Sequence, residues 1–240
     1  MSLEEARRLL AGARSVAALT GAGVSAESGL ATFRGAEGLW KGRRPEDLAT
    51  PEAFARDPKR VWEWYEARRR AVAAARPNPA HEALAALEAR RPGFTLITQN
   101  VDGLHTRAGS RRVLEIHGCL WRTRCCSCGE VREDRRVPLP AIPPRCACEG
   151  LLRPDVVWFG EPLPFELLSR AFRAVDACDV LIVAGTSGAV QPAGSMGLRA
   201  LARGAAVIEV NVERTPLSEE ATVFLEGRAG EVLPVLAGPA

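Results

Sequence analysis

Lysine and tyrosine are nearly missing from this chain: among its 240 residues, Lys41, Lys59 and Tyr65 are the only ones. Arginine carries the positive charge instead, and 32 basic against 29 acidic residues leave a net charge of only +3. With so small an excess and no dense basic stripe, the charge balance does not favour nucleic acid as a partner. Long apolar runs are missing too. None approaches the roughly 20 residues that a helix needs to cross a bilayer, so no membrane partner is expected. The opening Met1-Ser2-Leu3-Glu4-Glu5-Ala6-Arg7-Arg8 lacks a signal-peptide layout and reads as an ordinary helix. A reducing, cytoplasmic setting is therefore expected. The seven cysteines, five of them within Cys125–Cys148, then point to metal before disulfides.

What is present suits a globular chain, at 47% hydrophobic and 25% charged residues. Its length allows one substantial core, or a core with a small satellite. Short apolar runs at Val16–Thr20, Phe94–Thr98, Val113–Ile116, Val180–Val183 and Ala206–Val210 read as strands. Their near-continuous apolarity implies burial on both faces, as in a parallel sheet. Between them lie helical patterns. Asn78-Pro79 supplies an N-cap and a first-turn proline, while Leu167, Leu168, Ala171, Phe172 and Val175 recur at helical spacing. This alternation predicts an α/β fold with a doubly wound, Rossmann-like parallel sheet. Two stretches break the rhythm: 32–75 reads as a helical insertion, and 119–150 is rich in Cys, Arg and Pro. The expected division is a discontinuous Rossmann-like domain over 1–31, 76–118 and 151–240, with the other two stretches forming a small domain.

Two motifs carry chemistry. Gly21-Ala22-Gly23-Val24-Ser25-Ala26 fits G-x-G-x-x-G/A after a strand, a turn whose backbone can approach a pyrophosphate. A dehydrogenase would place an acidic ribose ligand about 20 residues on. Here Lys41, Arg43 and Arg44 occupy that region, which disfavours hydride transfer. Cys125-x-x-Cys128 and Cys146-x-Cys148 form two thiol pairs suited to one tetrahedral, structural zinc ion. Cys126 is an alternative to Cys125 in the first pair, and Cys119 and Cys178 read as ordinary buried cysteines. The arginines near the thiols, Arg122, Arg124, Arg132, Arg135 and Arg136, read as a solvated face.

Five blocks in order resemble the sirtuin family. They are Gly21–Leu30 with Thr32-Phe33-Arg34-Gly35, Thr98–His105, Glu115-Ile116-His117-Gly118, Arg153–Glu161 and Gly185-Thr186-Ser187. Ala31 stands where that family commonly has proline. The resemblance implies NAD-dependent removal of acyl groups from protein lysines, giving nicotinamide and O-acyl-ADP-ribose. It makes His117 the general base for a ribose hydroxyl, with Asn100 and Asp102 serving the nicotinamide and ribose end. The implied cofactor contacts are Gly21, Ala22, Gly23, Ala26, Glu27, Thr32, Phe33, Arg34, Gln99, Asn100 and Asp102, then Gly185, Thr186, Ser187, Asn211, Glu213 and Ala229. Val156, Val157, Trp158, Phe159 and Gly160 would pair their backbone with an extended substrate peptide.

A further resemblance concerns the acyl group. Tyr65 and Arg68 are three residues apart and share a helix face. They match the Tyr-x-x-Arg pair of the branch that removes acidic acyl groups, and Ala49 matches its small pocket residue. A guanidinium grips a carboxylate with two parallel hydrogen bonds, so succinyl- and malonyl-lysine are expected beside acetyl-lysine. Three other readings stay open: NAD hydrolysis or ADP-ribosyl transfer by the same site, a Rossmann-type oxidoreductase, and a non-catalytic zinc-ribbon adaptor.

Overall fold

The computed structural model describes residues 2–32 and 45–238. Helix α1 (Leu3–Gly12) leads into β1 (Val16–Thr20), and the short α2 (Ala22–Ala26) follows directly after Gly21. Helices α3 (Pro51–Arg56) and α4 (Pro58–Ala74) come next, capped by the side chains of Thr50 and Asp57 and opened by prolines. Asn78 caps α5 (Pro79–Arg90) in a reciprocal box with His81. The chain continues through β2 (Phe94–Thr98), α6 (Leu104–Arg107), β3 (Val113–Glu115), β4 (Gly118–Cys125), β5 (Val131–Glu133) and β6 (Leu152–Val156). It closes with α7 (Phe165–Ala177), β7 (Val180–Ala184), α8 (Met196–Ala202), β8 (Ala206–Asn211), β9 (Val223–Glu226) and α9 (Ala229–Ala237).

Six strands form a parallel sheet in the order β3-β2-β1-β7-β8-β9. Every residue of β1 and β7 is buried, and successive side chains serve opposite helical layers. Val16, Ala18, Val180 and Ile182 pack with Leu10 of α1, Leu84 of α5 and Leu233 of α9. Ala17, Leu19, Leu181 and Val183 pack with Ala171 and Val175 of α7 and Met196 and Ala200 of α8. The expected doubly wound sheet is thus present, with β9 as an additional edge strand.

A second, antiparallel sheet has the order β5-β4-β6. Its apolar side is covered by α3 and α4: Phe54, Trp62, Trp64 and Tyr65 pack with Leu120, Trp121, Leu152 and Trp158. One detail differs from the sequence reading: Leu152–Val156, placed there in the Rossmann-like domain, pairs with β4 of the small sheet. His117 lies in the short link from β3 to β4. Gly118 makes that link possible, with φ +85° and a backbone so close to Asp155 that a Cβ would sit 2.1 Å from its carbonyl oxygen. Among the described residues no helix is long and apolar enough to cross a membrane.

Candidate active site and metal centre

From β1 the chain's parallel partners lie on one side as β2 and β3, and on the other as β7, β8 and β9. The carboxyl ends of β1 and β7 therefore flank a topological switch point, where open α/β sheets bind ligands. The loops there touch each other. Gly21 N–H donates to Ala184 O at 3.0 Å and Gly23 N–H to Gly185 O at 2.8 Å. A Cβ on Gly23 would lie 2.8 Å from Gly185 Cα, and one on Gly185, whose φ is +59°, 2.5 Å from Val24 N. In this structure the glycines are thus required first by loop-to-loop packing.

Below these loops lies a buried polar cluster centred on Ser25. The Ser25 hydroxyl donates to Asp102 Oδ2 at 2.8 Å and accepts from Asn100 Nδ2 at 3.1 Å. Asn100 Nδ2 also reaches Gly21 O at 3.0 Å, and Leu104 N–H donates to Asp102 Oδ1 at 2.8 Å. Burial raises the Asp102 carboxyl, against the opposing effect of the Leu104 and Ser25 hydrogen bonds. His81 Nε2 lies 3.4 Å from Ser25 Oγ, and the His81 and His105 ring centres lie 4.7 Å apart with their planes tilted by 54°. Burial holds His81 down to about 4. Its ring is hydrogen-bonded to Asn78 at the start of α5 and backs directly onto this cluster. Sequence reasoning missed Ser25 as a site residue, although it lies inside the glycine motif.

His117 is half-buried at the rim. Its Nδ1 is 3.1 Å from Gln99 O, and because a carbonyl only accepts, Nδ1 carries the proton and Nε2 the lone pair. Burial lowers its pKa, partly offset by the Gln99 bond. Gln99 Nε2 donates to Thr186 Oγ1 at 2.9 Å, and Asn211 Nδ2 to Thr186 O at 2.9 Å. Gln99, Thr186 and Asn211 are thereby brought together, with Ser187 next in the β7 loop. Glu27 is turned elsewhere: its carboxylate accepts Gly230 N–H at 2.6 Å, beside the buried Ala229 that begins α9. Ala22 and Ala26 bound α2, Glu213 is exposed beyond β8, and Thr32 is half-buried. Phe33 and Arg34 lie outside the described residues.

The residues expected at the acyl end do converge. Ala49 is buried, and its carbonyl accepts Phe159 N–H at 2.9 Å. Tyr65 is buried on α4, with its oxygen accepting from Trp158 Nε1 at 2.8 Å. The Arg68 guanidinium lies 4.8 Å from the Trp64 ring and 5.6 Å from the Tyr65 ring. In the segment 156–160 the backbone is already partly engaged. Val157 N–H donates to His117 O at 2.9 Å, and Trp158 N–H to Glu161 Oε2 at 2.8 Å.

The Sγ atoms of Cys125, Cys128, Cys146 and Cys148 all lie within 4.8 Å of one another. Zinc–sulfur bonds of about 2.3 Å in a tetrahedron set the sulfurs roughly 3.8 Å apart. Cys128 and Cys146 stand 3.8 Å apart and Cys125 and Cys148 3.5 Å, so the donor set fits that ion. Cys126 lies outside the cluster. Four thiolates would complete the coordination shell, which makes the centre structural.

A nucleotide-type crevice beside a four-thiol ribbon defines the class. Residues 21–192 match the Sir2 family, and the chain belongs to it. It is 54% identical to the NAD-dependent protein deacylase of Aquifex aeolicus, with 90% of each chain covered. It is 55% identical to NAD-dependent protein deacylase 2 of Pyrobaculum aerophilum, covering 95% of this chain and 92% of that one. A solved Sir2 homologue–NAD complex superimposes with a TM-score of 0.92 at 52% identity, covering 98% of this chain and 92% of the other.

Proposed function

We propose that this protein removes acyl groups from lysine side chains of proteins at the expense of NAD, yielding nicotinamide, O-acyl-ADP-ribose and free lysine. The observation that supports this most directly is the neutral imidazole of His117, its Nδ1 pinned to Gln99 O, beside the buried Asn100–Ser25–Asp102 cluster. A passive sensor needs no such base. The bound dinucleotide would supply the ribose carbon that loses nicotinamide and the hydroxyl that receives the acyl group. His117 Nε2 would take the proton from that hydroxyl. Asn100 and Asp102 would hold the nicotinamide and ribose end, with Gly21–Ala26, Thr32, Phe33, Arg34 and Gln99 around it, while Glu27 would tie the loop to the start of α9. Gly185, Thr186, Ser187, Asn211, Glu213 and Ala229 would hold the adenosine half.

The acylated peptide would enter as an added strand along 156–160. With the Val157, Trp158 and Phe159 N–H groups already committed, carbonyl oxygens such as that of Val157 would make the pairing. The acyl chain would pass Ala49 toward Tyr65 and Arg68, whose donors suit succinyl and malonyl groups as well as acetyl. The parallel sheet would serve as the NAD domain, and α3, α4 and the ribbon as the small domain. A reducing cytoplasm would keep the four thiols available to zinc.

Mass spectrometry of matched acetyl- and succinyl-lysine peptides, incubated with and without NAD, tests the reading. NAD-dependent deacylation with O-acyl-ADP-ribose is expected for both. Nicotinamide release with both peptides intact would replace it with NAD hydrolysis or ADP-ribosyl transfer.

A further inference from the structure

One carboxylate lies inside the large sheet's apolar packing. Glu209, on β8, is 1% exposed, between Val183 of β7 and Phe224 of β9 in the strand register. Burying a carboxylate costs free energy unless its oxygens are hydrogen-bonded. Both are. Thr215 Oγ1 donates to Oε1 and Ser218 Oγ to Oε2, each at 2.6 Å.

Those two hydroxyls cap a short 3-10 turn, Pro216–Glu219. Each is also an acceptor: Thr215 Oγ1 takes Leu217 N–H at 3.1 Å, and Ser218 Oγ takes Thr215 N–H at 2.8 Å. A hydroxyl has one proton, and here each sends it to the carboxylate. An ionised carboxylate accepts at both oxygens, whereas an amide would set its NH₂ against one of those protons. The turn is fixed from its other side by Leu217, which fills the space over Gly197 of α8. A Cβ there would lie 2.6 Å from a Leu217 methyl.

What this turn holds is the far end of a loop. Val212, Glu213 and Arg214 run exposed between β8 and Thr215. The near end is pinned at Asn211, whose Nδ2 donates to Thr186 O at 2.9 Å and whose carbonyl accepts Gly227 N–H at 2.9 Å. Glu209 stands two residues earlier on the same strand and pins the far end. One strand thereby holds both ends of the loop.

We propose that Glu209 is a positioning residue for the adenosine half of the dinucleotide. It sets the arc from Asn211 to Thr215 before the ligand arrives, so that binding need not order the loop. It acts through Thr215 and Ser218 rather than on the reacting atoms, so its effect belongs to dinucleotide binding. This inference rests on the proposed assignment of Asn211 and Glu213 to the adenosine half.

The test is the split between KM and kcat in Glu209→Gln. KM for NAD at saturating acetyl-lysine peptide is expected to rise about fivefold, with kcat and the peptide KM unchanged. Calorimetry with ADP-ribose, which carries the adenosine half without nicotinamide, should show the same loss independently of turnover. A purely structural role would lower the melting temperature and leave ADP-ribose affinity and the KM for NAD in place. That result, or a fall in kcat alone, would overturn the proposal. Thr215→Val and Thr215→Ser carry the test if Glu209→Gln does not fold. The valine variant should lose ADP-ribose affinity, and the serine variant, which keeps the hydroxyl, should recover it; equal affinities would count against the proposal. Asn211→Ala separates the layers. If it weakens ADP-ribose binding while Glu209→Gln does not, only the role of Glu209 fails. If Asn211→Ala leaves that binding unchanged, the adenosine assignment fails and this inference with it.

Discussion

At the scale of single residues, His117 and Ser25 show how one hydrogen bond decides what a side chain can do. The Gln99 carbonyl fixes the imidazole tautomer, and burial keeps the ring neutral below its ordinary pKa of 6.5. A base of lowered pKa stays competent as pH falls and is lost only when pH passes through that lowered value. The acid limb of kcat/KM for deacylation should therefore lie below pH 6.5. His117→Ala should abolish this limb and reduce kcat by about 10²-fold or more. A limb unchanged in the variant would assign it to another group. Ser25 is silent in the sequence because serine in a glycine loop usually serves the turn. Only the folded chain brings Asp102 and Asn100 to the same hydroxyl.

Elements differ in how clearly the sequence announces them. The strands of the parallel sheet are legible since both faces are buried, leaving unbroken apolar runs such as Val180-Leu181-Ile182-Val183-Ala184. The strands of the ribbon are not. β5 is exposed throughout, and β4 carries Arg122 and Arg124, paired with Glu115 and Asp155. Their pairing is set by α4, which no local pattern could reveal. The hinge is Arg69, 1% exposed. It donates to Leu120 O at 2.5 Å, Asp134 O at 2.8 Å and Arg136 O at 2.9 Å. It is also 3.8 Å from the carboxylates of Glu66 and Asp134. Arg69→Met would strand three carbonyls and leave the buried Glu66 with Arg70 as its one cationic partner, at a cost of about 3–5 kcal/mol in denaturant unfolding. Arg69→Lys should restore little, because an ammonium cannot present a planar fork to several carbonyls. Full rescue by lysine would show that charge alone suffices.

In the whole molecule the metal ribbon and the loop of Asn100 and Asp102 are one connected body. Leu120 N–H donates to Val101 O at 2.8 Å and Trp121 Nε1 to Asp102 O at 2.8 Å. The ribbon strand therefore holds the backbone that presents Asn100 and Asp102, and loss of the ion should be felt at both. Stripping zinc with a chelator is expected to abolish deacylation and, in step, to expose the amides of β4 and β6 to hydrogen exchange. Activity retained in demonstrably metal-free protein would show the ribbon to be a passive attachment.

The order of the large sheet also bears on how the chain is made. Its central strand, β1, is synthesised before both of its neighbours, for it pairs Val16 with Phe94 on one side and with Val180 on the other. On the ribosome, four consecutive apolar residues, Val16 to Leu19, must wait without a second neighbour until β7 has emerged. Parallel pairing across such separations is slow and leaves apolar edges open to other nascent chains. Chains that terminate before β7 should therefore be sticky fragments rather than smaller working enzymes, and the newborn protein spends its most vulnerable interval with its core strand half-covered.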